Sequence, residues 1–114
     1  MVSMENYGYT VEALQAESER CSEVTEFYSE LSDRKELFPT AYSELLFDKL
    51  YNLLNRINNV IRAMVTVFKL VDALGEEATD LTLLSLNSEL SSLHSSLYNN
   101  YGGGFYKYIT TGRK

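Results

Sequence analysis

Apolar side chains recur at three- and four-residue steps along most of the chain, and this spacing is typical of amphipathic α-helices. In the first such segment, Leu14 and Cys21 begin a row of apolar positions seven residues apart, and Glu17 interrupts a second row beside it. Thr10 precedes the segment and can cap the free amides of a first helical turn. The pattern therefore predicts a first helix over about residues 11–36.

A second helix follows a break at Pro39, because proline lacks an amide hydrogen and disfavours helical geometry at the residue before it. Thr40 can cap this helix, and its apolar pattern continues to about Leu74, where Gly75 suits a left-handed C-terminal cap. About 35 residues at 1.5 Å each give a helix of about 50 Å. Three adjacent apolar rows along it predict the spine of a helical bundle.

A third helix is predicted from Thr79 or Asp80 to Tyr101, because leucines follow one another there at alternating three- and four-residue steps. The glycines at 102–104 should end it, since glycine removes the backbone restraint on which helices depend. The remaining stretch, 105–114, alternates enough to pair as a strand but is too short to form a sheet alone.

The predicted fold is all-α: a three-helix up-down-up bundle with a long central helix, in one domain. With 114 residues, the chain is long enough to bury a core. The pattern divides it into a flexible N-terminus over 1–9, the helical bundle over 10–101, and a Gly-started aromatic tail over 102–114.

The C-terminal half of the second helix is the most apolar part of the chain. Arg62, Lys69 and Asp72 make a membrane span unfavourable there. Val65 and Leu70 lie outside the rows that two neighbouring helices can cover, and an uncovered apolar patch usually marks an interface. We therefore expect assembly into a larger helical oligomer or heterocomplex through this seam; the alternative is a self-contained monomer whose loops cover it.

Acidic residues repeat on the opposite side of the first helix from its apolar row. Glu12, Glu19 and Glu26 are seven residues apart, with Glu23 beside them. The formal net charge of −6 argues against direct nucleic-acid binding, because phosphate backbones require a basic surface. Such an acidic face is usually only solvated. The alternative is that Glu19, Glu23 and Glu26 dock a basic site on a partner that itself handles nucleic acid.

The C-terminal segment is rich in aromatic side chains and has no acidic residue after Glu89. Aromatic residues are enriched at binding hot spots, so the tail is a second candidate partner-binding surface. Its candidate residues are Tyr101, Phe105, Tyr106 and Tyr108. An equally weighted alternative is that the tail folds back and caps the open end of the bundle.

Cys21 and His94 are the single cysteine and the single histidine, and they are the only obvious candidates for a nucleophile and a base. Cys21 lies in an apolar row and is expected to be a buried structural residue. His94 flanks the leucine stripe of the third helix and is expected to be a partly satisfied histidine. The Glu-x-x-His sequence of di-iron bundles is absent from the chain. We predict no catalytic, cofactor-binding or metal-binding residues, and no enzyme activity.

Phe68 and Asp72 match a Phe-x-x-x-Asp spacing found in some small helical partners of specialised secretion systems, which the chain also resembles in size. This resemblance spans five residues, and the sequence contains no Trp for the Trp-x-Gly turn of that class. It implies a small helical partner protein as one possible function.

The location we expect is the cytoplasm, because a single cysteine cannot form an internal disulfide and the N-terminus lacks the pattern of a signal peptide. The expected function is a non-enzymatic protein–protein interaction module, such as an adaptor, chaperone or assembly partner, that binds another protein or a second copy of itself. The first alternative is an acidic inhibitor or immunity-type protein, phage or mobile-element encoded. The second is the secretion-system partner.

Overall fold

The computed structural model describes residues 2–33 and 41–113, and the side chains of these residues other than 28, 30–33 and 41–47. Within this part of the chain there are one short 3₁₀ helix, five α-helices and no strand. The elements are η1 Met4–Tyr7, α1 Val11–Asp33, α2 Ala41–Lys69, α3 Val71–Leu74, α4 Glu76–Tyr101 and α5 Gly103–Thr111. The predicted all-α class is confirmed.

The first helix begins where the sequence predicts. Thr10 precedes it, and its hydroxyl oxygen accepts a hydrogen bond from the backbone amide of Ala13 at 3.0 Å. This bond satisfies one of the amides that the first turn of a helix leaves free. The predicted end of this helix near Glu36, the break at Pro39 and the cap at Thr40 lie outside the described residues.

The predicted continuation of the second helix to Leu74 is wrong, because α2 ends at Lys69. Leu70 has φ −96° and ψ 15°, which departs from α-helical geometry and separates α2 from the single turn of α3. Gly75 then has φ 89° and ψ 151°. The positive φ is accessible to glycine, but the extended ψ means that this residue is not the predicted left-handed cap.

The third predicted helix corresponds to α4, which begins at Glu76 rather than at Thr79 or Asp80. Glu76 and Glu77 lie in its first turn, where acidic side chains complement the helix dipole. Thr79 is fully buried within the helix instead of capping it. The helix ends at Tyr101 with Gly102 as its cap, as the glycine run predicts.

The core lies where α1 packs against α2 and α2 packs against α4. Its fully buried members repeat the predicted apolar rows, with Leu14 and Cys21 on the first helix. On the other two long helices they include Leu54, Ile57, Ile61, Met64, Leu83, Leu90 and Leu97. The helical period of the sequence therefore identifies the buried faces of all three long helices.

The N-terminal segment, for which the sequence predicts flexibility, contacts the bundle in the structure. Val2 and Met4 are buried in the core cluster. The Tyr7 hydroxyl donates a hydrogen bond of 2.7 Å to a carboxylate oxygen of Asp80 on α4. These contacts hold η1 against the bundle.

The expectation of a strand-like tail is wrong, because residues 103–111 form α5, which packs against α4 and α1. Its apolar residues are spaced for a helix, with Ile109 fully buried one turn after the half-buried Phe105. The guanidinium of Arg20 on α1 donates hydrogen bonds to the backbone carbonyls of Ile109 at 2.8 Å and Thr110 at 3.1 Å. These carbonyls belong to the last turn of α5. The carbonyl groups in the last turn of a helix have no amide partner inside the helix, so Arg20 supplies one from α1.

None of the helices in the described ranges is both long enough and apolar enough to cross a membrane.

Candidate functional site

A buried acid–base pair joins α1 to α4. His94 Nε2 and Glu17 Oε2 are 2.7 Å apart, and the two residues are 7% and 2% exposed. Buried polar groups are costly unless they are hydrogen-bonded, and each of these side chains supplies the partner of the other. Glu17 is the residue that interrupts an apolar row of the first helix, so the pair explains that interruption.

The short distance within this pair requires a shared proton. A hydrogen bond between the two facing atoms needs a proton on either the nitrogen or the oxygen, because neither atom can donate without one. The pair therefore holds a proton between α1 and α4, inside the bundle.

Tyrosine rings surround the histidine side of the pair. The ring of Tyr106 on α5 meets His94 at a centroid distance of 5.8 Å and an interplanar angle of 85°. It also meets Tyr98 on α4 at 5.7 Å and 83°. Burial raises the pKa of Tyr9, and the nearby charge of Glu17 adds to this shift. Three tyrosines from three parts of the chain thus converge on one buried pair.

An open pocket of about 460 Å³ lies at this cluster. It is lined by Tyr9, Ser91, His94, Ser95, Tyr98, Asn99 and Tyr106. Neither lysine nor arginine is among these lining residues. The sequence pattern marks Tyr106 as a candidate partner-binding residue and His94 as a possible base, places Tyr98 only among the C-terminal aromatic residues, and does not mark Tyr9. The spacing of four between His94 and Tyr98, which places both on one side of a helix, is a signal that could have linked them.

Cys21 is fully buried, as the sequence predicts. Burial, together with the charge of Glu17 and against a smaller lowering by Arg20, raises the pKa of its thiol to about 12. The thiolate, which is the reactive form of cysteine, is therefore scarce at neutral pH. This environment is that of a core residue.

The predicted apolar seam is only partly exposed. Val65 is 8% exposed and belongs to the core cluster, so the expectation that it is left uncovered is wrong. It lines the groove between α1 and α2 beside Ser18 and Glu19, which shows that the first helix covers more of α2 than its apolar rows indicate. Leu70 is 47% exposed, in agreement with its place outside the rows.

Four of the leucines whose side chains the structure describes, between the end of α2 and the first half of α4, are strongly exposed. We call this set the apolar corner; its members are between 47% and 63% exposed and comprise Leu70, Leu74, Leu81 and Leu84. The amide of Leu74 donates to the carbonyl of Leu70 at 2.9 Å, so these two residues are one helical turn apart. Leu81 and Leu84 are three residues apart on α4 and are therefore neighbours on its surface. Leu81 and Leu84 lie outside the predicted leucine stripe of this helix, and the sequence pattern did not mark them as interface candidates.

The remaining predicted partner-binding residues fall into two groups. Glu19, Glu23 and Glu26 are exposed on α1 and line a groove of about 280 Å³ together with Arg62 of α2. The tail aromatics are half-buried and pack against the core, and these are Tyr101, Phe105, Tyr106 and Tyr108. The tail therefore folds back onto the bundle, which is one of the two arrangements that the sequence leaves open.

The Phe-x-x-x-Asp spacing does not form a continuous helical turn. Phe68 packs against the core in α2, and Asp72 is exposed in α3. The helix break at Leu70 lies between them. In the part of the chain that the structure describes, no three His, Cys, Asp or Glu side chains come together as a potential metal site.

No protein-family model matches the chain, and neither a curated protein nor a solved structure resembles it significantly.

Proposed function

We propose that the protein is a non-enzymatic protein–protein interaction module that docks a helical partner, or a second copy of itself, through the apolar corner. The observation that carries this proposal is the exposure of four leucines on adjoining elements. Isolated exposed apolar residues are ordinary on a protein surface, whereas a group of large ones is typical of an interaction site.

We also propose that α1, α2 and α4 form the up-down-up bundle predicted from the sequence, and that the corner extends this bundle into a larger assembly. The contacts of α2 with both α1 and α4 support the first part. The extent of 52 Å along the longest axis is comparable to the roughly 43 Å of a 29-residue helix, which supports α2 as the spine.

The test compares two aspartate variants of matched exposure. Leu81→Asp combined with Leu84→Asp places two charges in the apolar corner, and Phe27→Asp places one on α1, where Phe27 is 60% exposed. All these positions are exposed, so melting temperatures should change little. If the protein self-associates, we expect the corner variant to be monomeric in sedimentation velocity; if it binds another protein, we expect this variant to lose the partner captured from the native host. Phe27→Asp should self-associate or bind the partner as the unmodified protein does. Equal behaviour of the two variants would contradict the proposal.

A second candidate function is an acidic inhibitor that occupies a basic site on a nucleic-acid-handling protein. The observation that favours it is the exposure of Glu19, Glu23 and Glu26 along one groove. Because charged surfaces accelerate association and salt screens them over about 8 Å at 0.15 M, this function predicts salt-sensitive binding. Replacing all three with glutamine should leave the fold intact and slow association with the partner. An unchanged rate and an unchanged salt dependence would exclude it.

A further inference from the structure

We propose that the open pocket beside Glu17 and His94 binds a quaternary ammonium group, which is a cation whose nitrogen is bonded to four carbon atoms, here including methyl groups. The pocket is separate from the apolar corner, and this inference does not depend on the proposed function. It rests on three observations: the aromatic lining, the charge of the lining residues and the volume.

The aromatic lining provides faces that attract cations. Tyr9, Tyr98 and Tyr106 all line the pocket, and the rings of Tyr98 and Tyr106 are nearly perpendicular, at 83°. The face of an aromatic ring is the negative part of its quadrupole, and several rings around one cation are a common way to bind choline-like groups. Such a cation needs no hydrogen-bond acceptor, because its nitrogen carries no hydrogen.

The charge of the lining favours a cation over an anion. The lining includes no lysine or arginine, and its one histidine, His94, is hydrogen-bonded to the carboxyl group of Glu17. The whole chain has a formal net charge of −6. A phosphate or carboxylate ligand would find no lysine or arginine there, whereas the negative net charge of the chain favours the approach of a cation. The remaining polar groups, on Ser91, Ser95 and Asn99, can bind a hydroxyl attached to the cation.

The volume suits a small ligand. Pockets for small molecules span about 300–1,000 Å³, and this one, at about 460 Å³, lies in the lower part of that range. Tyr98 is 55% exposed, so one wall remains open to solvent and a ligand can enter without disturbing the core.

The experiment is a titration of the protein with choline, followed by NMR of the tyrosine and His94 rings. Its matched control is 3,3-dimethyl-1-butanol, which has the same shape but carries carbon in place of the charged nitrogen. We expect choline to shift the signals of Tyr98 and Tyr106 and to bind about fivefold more tightly than the neutral alcohol, since cation–π contacts of moderate exposure have about this effect. Equal affinity for the two compounds, or no shift with choline at tens of millimolar, would overturn the assignment.

Two leucine variants locate the site. Tyr98→Leu should weaken choline binding by about fivefold, whereas Phe27→Leu, which removes an equally exposed ring from α1, should leave it unchanged. Tyr98→Phe should retain binding, because the ring face rather than the hydroxyl makes the contact. Circular dichroism of each variant shows whether the fold is kept. Choline binding that is unaffected by Tyr98→Leu would contradict the proposed pocket.

A comparison of ligands identifies the source of the group. Tighter binding of free choline would indicate a small solute, and tighter binding of a short trimethyllysine peptide would indicate a modified protein. Both results support the proposed chemistry, since each ligand presents the same cation. A peptide with unmethylated lysine that binds as tightly as the trimethylated one would count against it.

Discussion

The pair of Glu17 and His94 allows a sharp prediction about stability. His94→Leu would leave a carboxylate that is 2% exposed without its partner at 2.7 Å. Breaking a buried pair by removing one member costs about 3–5 kcal/mol. Glu17→Leu leaves a histidine that can be neutral, and an unsatisfied neutral group costs about 1–3 kcal/mol. The double variant removes both polar groups, so it should be more stable than His94→Leu alone.

These values are large relative to the stability of a domain, which is about 5–15 kcal/mol in total. Urea denaturation followed by circular dichroism measures all four proteins of the cycle, and a constant slope would show that each unfolds in the same way. We expect an interaction energy of at least about 2 kcal/mol between the two positions. Ser95→Ala, an exposed neighbour on α4, is the control and should change stability by less than about 0.5 kcal/mol. Single variants that each cost under about 1 kcal/mol, with additive effects, would show that the two side chains do not stabilise each other.

Three further predictions concern contacts at the ends of the bundle and in its core. Arg20→Met removes two charge-assisted hydrogen bonds from the last turn of α5, so hydrogen exchange should accelerate in residues 103–111 while α2 stays protected. Cys21, with a pKa raised to about 12 by burial, should react with thiol reagents at pH 8 only as fast as the protein opens, and labelling as rapid as that of a free thiol would contradict this. Partial burial and the hydrogen bond to Asp80 raise the pKa of Tyr7 to about 12, above its unfolded value of about 10. The stabilisation from this bond should therefore be complete below pH 10 and disappear as the pH rises through 12. NMR of the Tyr7 ring measures its titration, and a midpoint near pH 10 would contradict the raised pKa.

The helical elements could be predicted from the sequence because each depends on local signals. Thr10 caps α1, glycine at 102 ends α4, and the apolar rows mark the buried faces. Besides the start of α4, which lies three residues before its predicted cap at Thr79, two features were not predictable in this way. The break at Leu70 has no glycine or proline to announce it, and α5 begins with Gly103 and Gly104, whose low helix propensity is outweighed by burial of Ile109.

The candidate site was less predictable, because its parts are distant along the chain. Glu17 and His94 are separated by 77 positions, and neither residue alone indicates a buried pair. The interruption of an apolar row by Glu17 is the one local sign that a polar partner is required inside the bundle. Val65 is the opposite case. The pattern of apolar rows predicts that its side chain is exposed, but in the structure it is buried in the groove between α1 and α2.

NMR of leucine methyl groups shows whether the apolar corner is the interaction surface. Spectra recorded from about 10 μM to about 1 mM protein, or with a captured partner, report which methyl groups enter an interface. We expect shifts at Leu70, Leu74, Leu81 and Leu84, with the methyl groups of Leu14 on α1 unchanged. Shifts confined to other leucines, or spectra that stay constant with concentration and with partner, would contradict it.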